Sequence, residues 1–81
     1  MSEADKMLEE LGYKFEKEND EFIIYKKDDE NCYPYHIKLS FNKKTKTVVK
    51  YCELYPDRIW LTMQELQAIN KKCKELGWLN E

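Results

Sequence analysis

Along the chain, the spacing of apolar positions changes from helical to alternating and back to helical. Met7, Leu8 and Leu11 recur at helical spacing behind Ser2 and Asp5, which stand three apart like a capping pair. Gly12 then fits the left-handed residue that closes such a helix. From Tyr13 to Lys17 the pattern alternates, with Tyr13 and Phe15 on one side and Lys14 and Glu16 on the other, which predicts a half-buried strand. Asn19-Asp20 supplies a turn, and Glu21–Lys27 reads as a second strand whose Ile23-Ile24 pair puts an apolar residue on each face. After the polar stretch Asp28–Asn31, Pro34 opens the clearest strand in the chain. Tyr35, Ile37, Leu39 and Phe41 face one way there, and His36, Lys38 and Ser40 the other. Asn42-Lys43-Lys44-Thr45 predicts a tight hairpin leading into a strand from about Lys46 to Glu53. Tyr55-Pro56-Asp57 turns the chain again, and Arg58–Leu61 fits either a short edge strand or an extended lead into the last helix.

The helical period returns at Thr62, which caps a helix with Glu65 completing the box. Met63, Leu66, Ile69, Cys73 and Leu76 form its expected apolar stripe, while Glu65, Lys71, Lys72, Lys74 and Glu75 are expected to face water. Gly77 ends it, and Trp78 is placed to contact the last turn. Glu10-Leu11-Gly12-Tyr13 and Glu75-Leu76-Gly77-Trp78 repeat one pattern, as two similar helix stops would. The sum is an α+β fold forming a single small domain over residues 1–81. An antiparallel three- to four-stranded sheet carries a short N-terminal helix and a longer C-terminal helix packed on one face. The other sheet face is expected to be solvated and to display His36, Lys38 and Ser40 with Lys14 and Lys50.

Length limits what such a fold can do. Eighty-one residues support one modest core, which favours a surface function over a deep catalytic cavity. A chain 42% hydrophobic and 37% charged is too apolar for disorder. Its eleven aromatic residues (six Tyr, three Phe, two Trp) exceed what so small a core holds. The start of the chain lacks the basic and apolar runs of a signal peptide, and no stretch approaches the roughly 20 apolar residues of a membrane span. The expected location is therefore the cytoplasm of the cell that makes it, with no membrane association. Cys32, Cys52 and Cys73 are widely spaced and odd in number, so they read as three reduced thiols. With His36 the only histidine, neither a metal site nor a cofactor is expected.

Charge separates along the chain. Residues 1–31 hold eleven acids against five lysines, and residues 32–81 hold five acids against nine Lys and Arg, netting −2. Lys43, Lys44, Lys46 and Lys50, with Lys71 and Lys72, form two basic clusters that are candidate phosphate contacts. The helix–strands–helix order is similar in outline to a double-stranded RNA-binding domain. The last helix, however, begins Thr62-Met63-Gln64-Glu65 without the lysines that family carries there. His36 has no neighbour in sequence that would orient it for acid–base catalysis, and no phosphate loop, metal-binding helix or nucleophile elbow is present, so no enzyme is expected. Surplus aromatic rings are the other candidate feature. Tyr33, Tyr35, Tyr55 and Trp60 combine area with a polar handle, as interface anchors do.

Glu9-Glu10-Leu11-Gly12-Tyr13, the acidic stretch with its Phe22–Lys27 strand, and the closing run from Leu61 to Lys72 ending in Glu75-Leu76-Gly77-Trp78 carry a resemblance over nearly the whole chain. It resembles short proteins encoded by phages, prophages and other mobile elements of Gram-positive bacteria. That family has no catalytic or binding residues to carry over by position. The resemblance implies a phage-type accessory protein in a bacterial cytoplasm that binds a host or phage protein, while the aromatic anchors fit self-association equally well. The expected function is thus a non-enzymatic protein-interaction module, with a nucleic-acid-associated accessory role as the alternative.

Overall fold

The computed structural model describes residues 2–30, 36–52 and 60–79. Helix α1 (Glu3–Glu10) is followed by strands β1 (Lys14–Glu18), β2 (Phe22–Asp28), β3 (His36–Asn42) and β4 (Thr47–Cys52), and then by helix α2 (Met63–Glu75). The strands form one antiparallel sheet in the order β1-β2-β3-β4, so the fold is α+β, with the shorter helix first and the longer last. Two compact units emerge, Met1–Gly12 with Leu61–Glu81 and, separately, Tyr13–Trp60.

Local chemistry explains each stop and start in the helical unit. Ser2 Oγ accepts from the Asp5 N–H at 3.1 Å, which satisfies one orphan donor of α1. Thr62 and Glu65 complete the expected capping box of α2, with Thr62 N–H donating to Glu65 Oε1 and Glu65 N–H to Thr62 Oγ1, each at 3.0 Å. The repeated Glu-Leu-Gly-aromatic pattern is indeed a pair of helix stops. Leu11 and Leu76 are the two C-caps, and Gly12 and Gly77 come next at φ of 96° and 79°. At the second stop Trp78 N–H reaches the Cys73 carbonyl and Gly77 N–H the Lys74 carbonyl, the paired bonds of a Schellman motif.

Within the sheet unit, β2 and β3 pair along seven residues from Phe22↔Asn42 to Asp28↔His36, and β3 pairs with β4 from Ile37↔Cys52 to Asn42↔Thr47. Directly paired residues share a face, so Ile23, Tyr25, Leu39, Phe41 and Cys52 lie together, and all five are buried. Tyr25 centres this face, its ring edge-on to Phe15 at 6.0 Å and to Phe41 at 5.8 Å. Two asparagines shape the hairpins. Asn19 Oδ1 accepts from the N–H of Glu21 and of Phe22, and Asn42 Oδ1 from those of Lys44 and Thr45.

Three sequence expectations change. Strand β4 begins at Thr47 rather than Lys46, because Lys46 takes φ of 56° to close the four-residue hairpin loop. The apolar stripe of α2 is rotated. Glu65, Ala68, Ile69 and Cys73 are buried, whereas Met63 and Leu66 are 65% and 46% exposed. Of the possible edge strand, Arg58 and Ile59 lie outside the described residues, and Trp60 and Leu61 are not in a strand.

A Cβ added at Gly77 would meet nothing within 4 Å, so substitution there tests backbone strain alone. Gly77→Ala is expected to lower stability by about 1 kcal/mol, and Gly77→Asn by less, since Asn tolerates the left-handed region. Urea unfolding of the two variants, with unchanged slopes, checks this.

Candidate functional site

The lysines expected on the outside of α2 belong instead to a polar joint between the two helices. Lys72 Nζ donates to Asp5 Oδ1 at 3.2 Å with its side chain only 12% exposed, and Lys71 Nζ lies 3.5 Å from Glu3. Glu75 Oε2 accepts from the Ala4 N–H at 3.0 Å. Each of these groups sits at a helix end. The acids Glu3 and Asp5 occupy the positive N-terminus of α1, and Lys72 the negative C-terminus of α2. Glu75, at the wrong end of its own helix, finds an orphan donor of the other. Ala4 and Ala68 are both fully buried in this unit, and side chains that small allow helices to approach closely.

The hairpin lysines are engaged as well. Lys43 Nζ donates to Glu18 at 2.6 Å, and Lys44 Nζ stands 3.9 Å from Glu21. Lys50 Nζ donates to the Trp60 carbonyl at 2.9 Å. Its strand position opposite Leu39 puts Lys50 on the buried apolar face, not with His36 as expected. Among the six candidate phosphate contacts, Lys46 is exposed on the hairpin without an ion pair among the described residues. The two basic clusters are therefore largely matched by acids of the chain's own N-terminal half, which lowers the field they offer to a phosphate backbone.

Of the candidate aromatic anchors, Tyr33, Tyr35 and Tyr55 lie outside the described residues. Trp60 is 73% exposed, the highest value among the exposed large hydrophobic residues. The Lys50 ammonium fixes its carbonyl, so the backbone that presents the indole is tethered to β4. Among the described residues of this unit, Phe15 at 58% and Val49 at 52% are the other exposed large hydrophobic residues.

His36 pairs with Asp28 across β2 and β3, its Nδ1 2.6 Å from Asp28 Oδ1. The approach lacks the direction of a hydrogen bond, and Nδ1 is buried without a hydrogen-bond partner among the described residues. Among the described residues, no group of three or more His, Cys, Asp or Glu is placed to hold a metal ion. The expectation of three reduced thiols is corrected. Cys52, 2% exposed at the end of β4, is disulfide-bonded, whereas Cys73 is free and buried. The error came from spacing, since Cys residues far apart in sequence give no local sign of a bond that tertiary structure closes. Burial pushes the Cys73 thiol above its ordinary pKa.

The sequence placed Lys14 and Lys38 on one face but did not single out Lys26 between them. Lys14 pairs with Lys26 and Lys26 with Lys38, which places three lysines side by side across β1, β2 and β3. Only the register reveals this, because no helical or strand period links the three positions.

No protein-family model matches the chain, and no curated protein or solved structure shows significant similarity to it. Among the described residues, no helix is long and apolar enough to cross a membrane.

Breaking the helix joint with Lys72→Met is expected to cost about 1 kcal/mol and to show coupling in a double-mutant cycle with Asp5→Asn, read by urea unfolding. For the cysteines, the denatured, unreduced chain is expected to titrate one thiol, and the reduced chain three. Because the folded state holds the Cys73 proton more tightly than the unfolded state, its contribution is complete below the ordinary thiol pKa. It is lost as pH rises through the higher folded value. Cys73→Ala should remove that alkaline decline from the stability profile.

Proposed function

We propose that this protein is a non-enzymatic protein-interaction module of phage or prophage origin that acts on a host or phage protein in the bacterial cytoplasm. The exposure of Trp60 carries this reading. An indole left mostly in water offers a partner a large apolar area with one donor at its rim, and such rings dominate binding energy where they become buried. The tethered carbonyl supports it further, because an anchor whose backbone is already held loses less freedom on binding.

Affinity capture of the tagged protein from a Gram-positive lysate, with and without nuclease, tests the proposal. A stoichiometric protein that survives nuclease and is lost with Trp60→Ala is the expected result. The variant itself should keep its stability within about 0.5 kcal/mol, since the ring is exposed. Capture that vanishes entirely after nuclease would overturn the reading in favour of nucleic acid. The cytoplasmic assignment has its own check, because reducing compartments keep cysteines open. Alkylation on lysis should find the Cys52 disulfide of the structure opened in the cell, to close on oxidation of the purified chain, and recovering it closed on lysis would move the protein to an oxidising compartment.

A further inference from the structure

The lysine row occupies the sheet face opposite Tyr25, Leu39 and Phe41. Its members are direct cross-strand partners, Lys14↔Lys26↔Lys38, and the row continues into Tyr51, the partner of Lys38 on β4. Neighbouring strands lie about 4.8 Å apart, and like charges placed directly opposite one another oppose folding. The chain does not lack means to neutralise them, since it carries sixteen acids against fourteen bases. Of the three, Lys38 has an acid, Glu16, at 3.2 Å, and Asp28 shares the face two residues beyond Lys26, against His36. Glu16 reaches Lys38 from the bulge between Phe15 and Lys17, where β1 has one residue more than β2. Lys14 and Lys26 have no ion pair among the described residues. Around the row the face is partly apolar and only partly exposed: Ile24 beside it is 8% exposed, Val49 is 52% exposed, and Tyr51 is half-buried.

Evenly spaced cations running toward an aromatic residue on a partly exposed sheet face match a flexible polyanion that carries flat groups. Phosphates of such a chain meet the ammonium groups, and a base lies against the ring. A rigid duplex is matched less well, because the row spans only three strands and ends at a ring that a paired, stacked base does not reach. We propose that this face, through Lys14, Lys26, Lys38 and Tyr51, binds single-stranded nucleic acid. The site is separate from Trp60 and from the hairpin and helix lysines, whose charges are largely met within the chain. It neither requires nor excludes the protein partner proposed above.

Fluorescence anisotropy with a short labelled oligothymidylate tests it on the full chain. Three phosphate contacts predict a slope of log K against log salt of about −2, at about −0.7 for each contact to a single strand. Lys26→Glu should weaken binding by about tenfold or more and reduce the slope by at least about 0.7, while Lys43→Gln with Lys44→Gln should change neither. Tyr51→Leu should weaken binding without altering the slope. The opposed charges give a separate readout. Lys26→Glu turns three like charges into an alternating row, so its unfolding temperature should rise even as binding falls. Failure to bind the oligonucleotide, binding indifferent to Lys26→Glu, or equal affinity for a polyglutamate peptide would each overturn the proposal. Trp60→Ala should leave oligonucleotide binding intact, and Lys26→Glu should leave capture of a protein partner intact, so each reading can fail without the other.

Discussion

The pairing of β2 with β3 is the constraint on which the rest of the sheet depends. Side chains on a strand alternate between faces, so a shift of one residue would exchange the two faces of one strand against its neighbour. In the observed register Ile23 meets Phe41 and Tyr25 meets Leu39, and all four are buried on one face. The same register puts Lys26 beside Lys38 on the other. The apolar pairs and the like-charged pair are therefore one decision. Burial of four large side chains, at about 1.5–3 kcal/mol each, outweighs an opposed lysine pair whose cost is at most about 1 kcal/mol. Tyr25 strengthens the choice, because its ring touches aromatic neighbours on both adjacent strands.

In the helical unit, the electrostatics of the helix ends has comparable weight. Four side chains from the first turn of α1 and the last turns of α2 meet in two ion pairs, and Glu75 adds a bond to backbone. An exposed ion pair alone contributes little. Here the Asp5–Lys72 pair is partly withdrawn from water, and each charge also complements the helix end on which it sits. That placement explains why lysines at 71 and 72 lie close to the buried side of α2 although they are charged. Their stems run over the joint while the ammonium groups reach acids at its edge.

Sequence made the order of elements legible, and with it the caps. Ser2, Thr62 with Glu65, Gly12 and Gly77 each act through a local rule that needs no tertiary information. The face of α2 was not legible for the opposite reason. Met63 and Leu66 weigh heavily in a hydrophobic pattern, whereas Ala68 weighs little, yet a close helix approach selects the small residue. Glu65 was expected in water because it is charged, but its capping bonds let it be buried. Among candidate site residues, Trp60 stood out by type alone. The engagement of Lys43, Lys44, Lys71 and Lys72 by acids at least 23 residues away did not show in sequence, because no local pattern records such pairs.

The contrast between the basic groups carries the last step. Four of the lysines that cluster in sequence are matched by acids in space, while Lys14, Lys26 and Lys38 are scattered in sequence and gathered by the sheet. Local charge density along a chain is thus a poor guide to surface potential in a fold this small, where every strand neighbours residues from elsewhere. A random arrangement of fourteen bases and sixteen acids would place an acid beside most lysines. Three lysines in successive paired positions, two of them without an ion pair among the described residues, depart from that in the direction that costs stability. In a chain with so modest a core, an unfavourable arrangement on a partly exposed face persists most readily when something outside the fold compensates it.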